Sequence, residues 1–132
     1  MATIFTKIIE GEIPCHKVAE TDEHLAFLDI NPIAEGHTLV VPKQEVDYFF
    51  DLPEDLMQRT MKFSRTIARA IDGALDPLRT GIIVQGLEVP HAHVHLIPLY
   101  ELHQTMALGH NVSVGEERMK ELAERINREV RV

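Results

Sequence analysis

The chain has 132 residues, with 13 Lys and Arg against 21 Asp and Glu and a net charge of -8. A chain of this length buries about two-thirds of its unfolded surface, which predicts a single domain over residues 1–132 that needs no disulfide or metal staple. Its negative charge argues against broad electrostatic binding to a nucleic-acid backbone, while one small nucleotide in a local pocket stays permitted.

Cys15 is the sole cysteine, so neither an internal disulfide nor a thiol-rich zinc site is expected. No apolar run reaches the roughly 18 residues that span a bilayer, and MATIFTKIIEGEIP is too short in its apolar stretch for a signal peptide. A soluble, cytoplasmic protein with no membrane association is the expectation.

In TIFTKIIEG, the spacing of Phe5, Ile8 and Ile9 predicts one or two helical turns closed by Gly11. EIPCHKVAE and HLAFLDINP read as a hairpin around Thr21-Asp22-Glu23, with His16 and His24 at its surface. GHTLVVPK reads as a third strand after Gly36, with Pro42 near its end.

From Pro53, Leu56, Phe63, Ile67 and Ile71 recur at helical spacing up to Asp72-Gly73, predicting a long helix whose stripe packs inside the monomer or across a two-fold interface. TGIIVQG reads as a short buried strand and VPHAHVHLIP as the next, with Pro98 ending its ladder. The Ser113–Glu116 spacing suggests a capping box ahead of a helical stripe through Met119, Leu122, Ala123, Ile126 and Val130. His103 and His110 fall in the polar stretch before it and read as solvated loop residues. The result is an α+β fold: a mainly antiparallel five-stranded sheet packed with a long central helix and a C-terminal helix.

On a strand, His91, His93 and His95 share one face while Ala92, Val94 and Leu96 share the other. A metal comb is disfavoured, because at about 3.3 Å per residue the outer two α-carbons lie roughly 13 Å apart, too far for all three rings to reach one ion. Nucleophilic catalysis fits better. A neutral imidazole attacks well when one ring nitrogen is held by a hydrogen bond and the other is free, and His93 has a histidine on either side. Three solvated histidines on an exposed strand remain the plain alternative.

HAHVHLI, His91 to Ile97, matches the His-φ-His-φ-His-φ-φ motif of the histidine triad (HIT) superfamily at every position, φ being apolar. IFTKIIEGEIP, AFLDINP and EGHTLVVPK extend the resemblance over most of the first hundred residues, closest to the Hint-like branch.

The resemblance implies hydrolysis or transfer of a nucleoside monophosphate, released from a phosphoramidate or dinucleoside polyphosphate through a covalent nucleotidyl-histidine. By motif position, His93 attacks the α-phosphorus, the His91 carbonyl holds its ring, His95 contacts a phosphate oxygen, and His37 is a further histidine near the nucleophile. Asp29 matches the acidic residue that accepts hydrogen bonds from ribose hydroxyls. Phe5, Ile8, Ile13, Phe27, Leu28 and Ile30 match the apolar wall around a purine base. A homodimer is implied, and the chemical step requires no cofactor or metal.

The chain departs from the family in the connection QGLEVP, Gln85 to Pro90, which is shorter than the usual loop. Glu88 stands near a position that elsewhere carries a small hydroxyl or amide residue, and Gln85 is the candidate replacement for a missing phosphate-binding Asn. A carboxylate there repels phosphate unless it is protonated or turned away, which keeps open a nucleotide-binding or partner-binding protein with little catalysis. Glu45 replaces a histidine that relatives often carry, and the Trp-bearing tail of the Hint branch is absent.

Overall fold

The structure, a computed structural model, describes residues 2–131. Helix α1 spans Ile4–Ile9 and ends ahead of Gly11, whose φ of +83° suits a residue without a Cβ. Strands β1 (Lys17–Glu20), β2 (His24–Leu28) and β3 (Thr38–Pro42) follow, then a 3₁₀ turn at Phe49–Asp51 and helix α2 (Glu54–Leu75). Strands β4 (Arg79–Ile83) and β5 (Val94–Leu99) precede the last helix, α3 (Glu116–Glu129). The expected five-stranded sheet is present, in the order β1-β2-β3-β5-β4, and every neighbouring pair is antiparallel.

Strand alternation divides the interior. Ala26, Leu28, Val40, Val94 and Leu96 face α2 and α3, where they pack with Phe63, Ile67, Ile71, Leu122 and Ile126. The α2 stripe is therefore spent inside the monomer. On the opposite face, Leu25, Phe27, Leu39 and Val41 are covered by Phe5 of α1. The histidines of the triad stand on this second face.

Several local expectations change. Helix α2 takes Pro53 as its N-cap, passes through Gly73 and stops at Asp76, a left-handed residue with φ 51° whose N–H reaches the Asp72 carbonyl. One interior glycine costs about 1 kcal/mol, less than the packing of so long an apolar stripe returns. Helix α3 is capped by Gly115 with no side-chain cap bond, so Ser113 does not form a capping box.

Strand β4 is an edge strand, with Ile82 47% exposed, so its apolar run does not mark burial. Pro98 lies inside β5, opposite Thr80, but beyond Leu96, the last β5 residue paired with β3. The missing N–H thus falls where β5 has only one neighbour.

His24 is buried rather than at the hairpin surface. Its ring stacks on Phe63, and its Nε2–H donates to Thr60 Oγ1 over 2.8 Å while the Thr60 hydroxyl donates to the Leu56 carbonyl. Burial lowers its pKa, in keeping with a neutral ring. Among the described residues, no helix is long and apolar enough to cross a membrane.

Candidate active site

The triad sits where β5 begins. His91 and His93 precede the ladder: His91 ends a bend, its N–H donating to the Val89 carbonyl, and the Ala92 N–H donates to the Val46 carbonyl over 2.7 Å. The alternation holds in the packing: Ala92 and Val94 enter the main core, while the imidazoles of His91 and His93 meet Phe5 and that of His95 meets His37. Those rings are almost fully enclosed, with His91, His93 and His95 at 0%, 4% and 7% exposure, so they are not solvated.

Each ring's tautomer follows from its partners. His93 Nδ1 lies 2.7 Å from the His91 carbonyl, an acceptor only, so Nδ1 carries the proton and Nε2 keeps its lone pair. His91 Nε2 lies 2.8 Å from the Pro42 carbonyl and must donate there, which makes His91 Nδ1 the acceptor of the Thr3 hydroxyl at 2.9 Å. Thr3 also accepts the Thr6 N–H as the N-cap of α1. Glu45 completes this layer, its Oε1 taking the Thr3 N–H at 3.0 Å and the Thr6 hydroxyl at 2.6 Å. The start of α1 is thereby tied to the ring whose carbonyl holds His93.

His37 arrives from the β2–β3 connection. Its carbonyl accepts the Asp29 N–H, its own N–H donates to the Ala34 carbonyl, and the Ile33 N–H donates to its Nδ1 over 3.1 Å. With Nδ1 committed as an acceptor, Nε2 carries the proton and donates to His95 Nδ1 at 2.9 Å. Neutral His95 then holds its proton on Nε2, which has no protein partner among the described residues. Burial, reinforced by neighbouring imidazoles, pushes His37 down to about 4 and His95 to about 3, and it lowers His93 as well. The site presents one free imidazole lone pair beside one free imidazole N–H.

Asp29, His37 and His95 bring ligand atoms within 4.8 Å of one another, close enough to raise a metal site. The hydrogen bonds argue against one. A neutral His37 binding a cation through Nε2 must carry its proton on Nδ1, facing the Ile33 N–H donor. The residues fit a hydrogen-bonded relay and do not fit a chelate.

A cavity opens beside His93 and His95, lined by Phe5, Ile8, Ile13, Phe27 and Ile30 with Asp29 at its polar end. Leu28 borders it, but its side chain belongs to the main core, as alternation along β2 requires. Asp29 Oδ1 accepts the Asn31 N–H, and burial raises its carboxyl above the usual value against that bond. Gln85 is elsewhere: it lines a separate cleft on another side of His93, with Tyr48, Phe50 and Leu87. Proximity in sequence to the triad does not place it in the cavity with Asp29. Glu88 does line that cavity, and it also lines an adjoining polar one with His37, His95 and Asn111.

Sequence reasoning missed Thr3, Thr6, Asn31 and the role of Glu45. Thr3 carries a readable signal, a Thr immediately before an apolar helical repeat. Glu45 stands 42 residues from Thr3 and offers no local signal.

A family model described as the HIT domain matches residues 10–102. An uncharacterized HIT-like protein of Borreliella burgdorferi is 35% identical over 132 residues, covering 94% of this chain and 95% of its own. The adenosine 5'-monophosphoramidase of Schizosaccharomyces pombe is 32% identical over 133 residues, covering 99% of this chain and all of its own. Among solved structures, a Hit-like protein involved in cell-cycle regulation from Bartonella henselae superposes with a TM-score of 0.86 at 31% identity. That match covers 97% of this chain and 96% of the other.

Proposed function

The chain belongs to the HIT domain family, and on that premise we propose that it hydrolyses a nucleoside phosphoramidate at the α-phosphorus through a nucleotidyl adduct on His93. The observation that carries this reading is the 2.7 Å bond from His93 Nδ1–H to the His91 carbonyl, which leaves Nε2 free to attack. His95 Nε2–H stabilises charge on a phosphoryl oxygen, and His37 fixes the tautomer that makes it a donor. Both rings are neutral near pH 7, so they act as oriented dipoles.

The nucleoside lies in the cavity walled by Phe5, Phe27 and Ile30, with a purine against the apolar residues and ribose hydroxyls on Asp29. Neither this cavity, the polar one beside it nor the cleft beyond His93 is lined by a Lys or Arg. That favours a substrate with a single phosphorus over a dinucleoside polyphosphate, whose added charges would lack partners. The relationship to adenosine 5'-monophosphoramidases supports the same choice. A cytoplasmic homodimer belongs to this reading. The open edge of β4, with Ile82 and Val84 exposed, is where a second sheet can add.

Mass spectrometry of the protein quenched with an adenosine phosphoramidate tests the mechanism. An AMP adduct on His93 is expected, together with loss of turnover in a folded His93→Ala variant. Binding of AMP without turnover of any phosphoramidate would favour the nucleotide-binding alternative instead.

A further inference from the structure

His95 keeps its proton on Nε2 because His37 donates to its Nδ1, so whatever sets the His37 ring governs the group that His95 presents. His37 follows a turn at residues 33–36 that packs against β5. Strand β5 pairs with β3 only as far as Leu96. Beyond that point Ile33 and Ala34 pack on Ile97, and Gly36 lies against Leu75, Pro98 and the Tyr100 hydroxyl.

Apolar packing is non-directional and does not by itself orient a peptide plane. Two polar contacts act on this turn, both at Glu35. The Tyr100 hydroxyl donates to the Glu35 carbonyl over 2.6 Å. The Arg118 guanidinium donates to the Glu35 carboxylate, from Nε at 3.2 Å and from Nη2 at 2.9 Å.

The two contacts are unequal. Arg118 holds the end of a flexible side chain in an ion pair whose members are 38% and 41% exposed, and such pairs contribute little. Tyr100 holds the backbone. The direction of the Glu35 carbonyl is that of the peptide leading into Gly36, and His37 comes next. Tyr100 is itself fixed: Gln104 Oε1 accepts its N–H at 2.7 Å, while Gln104 Nε2 donates to the Pro98 carbonyl at 2.8 Å. Partial burial, with the nearby Glu35 carboxylate, pushes the Tyr100 hydroxyl up to about 12, so it stays a donor at neutral pH.

We propose that Tyr100 is a positioning residue for the active site: its hydroxyl, through the Glu35 carbonyl, holds the turn that aims His37 Nε2–H at His95. The inference rests on the reading that His95 Nε2–H contacts a phosphoryl oxygen. The chain through β5 then meets the segment of His37 at two polar points. One is His95, which accepts from His37; the other is Tyr100, just past the end of the strand, which fixes Glu35. The strand that carries the acceptor therefore also sets the place of its donor. With 65 positions between Tyr100 and Glu35, no local pattern announces the contact.

Tyr100→Phe removes the hydroxyl alone. Nitrogen-15 NMR should show His95 losing part of its Nε2–H form, and kcat should fall about 3- to 10-fold, the equivalent of one hydrogen bond, with KM within about twofold. Arg118→Gln, which releases only the carboxylate, should leave kcat within about twofold. An equal loss in Arg118→Gln would shift the effect to the Glu35 carboxylate and overturn the role of its carbonyl. In a His37→Phe background, Tyr100→Phe should have no further effect on kcat, because its route to the site is gone. A general weakening of the fold would lower kcat in both backgrounds, so additive losses overturn the proposal. An unchanged His95 spectrum in Tyr100→Phe overturns it as well. A shifted His95 spectrum at unchanged kcat supports Tyr100 as a positioning residue and overturns the phosphoryl contact of His95, which separates the two failures.

Discussion

The Thr3 hydroxyl donates to His91 Nδ1 over 2.9 Å, and the His91 carbonyl in turn holds His93 at 2.7 Å. A residue at the start of the chain therefore orients the proposed nucleophile through one intermediate ring. Thr3→Val removes both this donor and the N-cap oxygen of α1, leaving a buried imidazole nitrogen unsatisfied at a cost of about 1–3 kcal/mol. The expected outcome is a lower Tm and a kcat reduced roughly tenfold, equivalent to about 1.4 kcal/mol of transition-state stabilisation. Thr3→Ser should restore both, as read by thermal melts and steady-state kinetics.

The His37–His95 contact makes a prediction about tautomers. His37→Phe removes the proton that His95 Nδ1 accepts, so His95 is free to place its own proton on Nδ1 and lose the Nε2–H aimed at phosphate. Nitrogen-15 NMR of the histidines should show His95 shifting away from the Nε2–H form. kcat should drop about 10- to 100-fold with a smaller change in KM, since the donor acts mainly on developing charge. An unchanged His95 tautomer would contradict the relay.

The same pair sets a pH dependence of stability. His37 and His95 titrate near 4 and 3 in the folded chain against about 6.5 in the unfolded one. Between these values the unfolded state binds more protons, so stability rises with pH through the window and is fully present above about 6.5. Urea midpoints should fall steadily from pH 6.5 toward pH 4. The slope should be shallower in His37→Phe, which removes one of the two groups.

How far the sequence carried these conclusions depended on where each signal lay. The order of helices and strands and the one-sided histidine face were readable from local periodicity. Edge and centre were not: Ile82 and Ile83 read as a buried pair, but strand order, which is non-local, left β4 with one neighbour. His24 looked like a hairpin surface residue because its partners, Phe63 and Thr60, come from a helix more than thirty positions away. Gln85 lies with His93 in a cleft apart from the cavity of Asp29, a separation that closeness in sequence to the triad does not reveal. The hold of the His91 carbonyl on His93 followed from motif position, but the tautomers of His91, His37 and His95 did not, because they depend on backbone groups such as the Pro42 carbonyl and the Ile33 N–H.

Gly36 offers a final test of how the fold delivers His37. Its φ is +92°, a conformation that favours glycine, and a Cβ there would collide with Leu75 Cδ1 and lie 3.1 Å from Pro98 Cγ. Backbone strain and steric crowding thus act together at one position. Left-handed backbone at a residue with a side chain costs on the order of 1–3 kcal/mol, and crowding adds about 1 kcal/mol, since the half-buried end of Leu75 can turn partly aside. Gly36→Ala should therefore destabilise the protein by about 2–4 kcal/mol, measured as a lower urea midpoint at unchanged m-value. The next residue is His37, whose N–H reaches back to Ala34 and whose Nδ1 takes the Ile33 N–H. Relief of the collision moves that turn and loosens the His37–His95 bond, so kcat should fall even at temperatures where the variant is fully folded. Leu75→Ala in the Gly36→Ala background separates the two contributions. It opens space for the methyl group without changing φ, so only the steric part should be recovered.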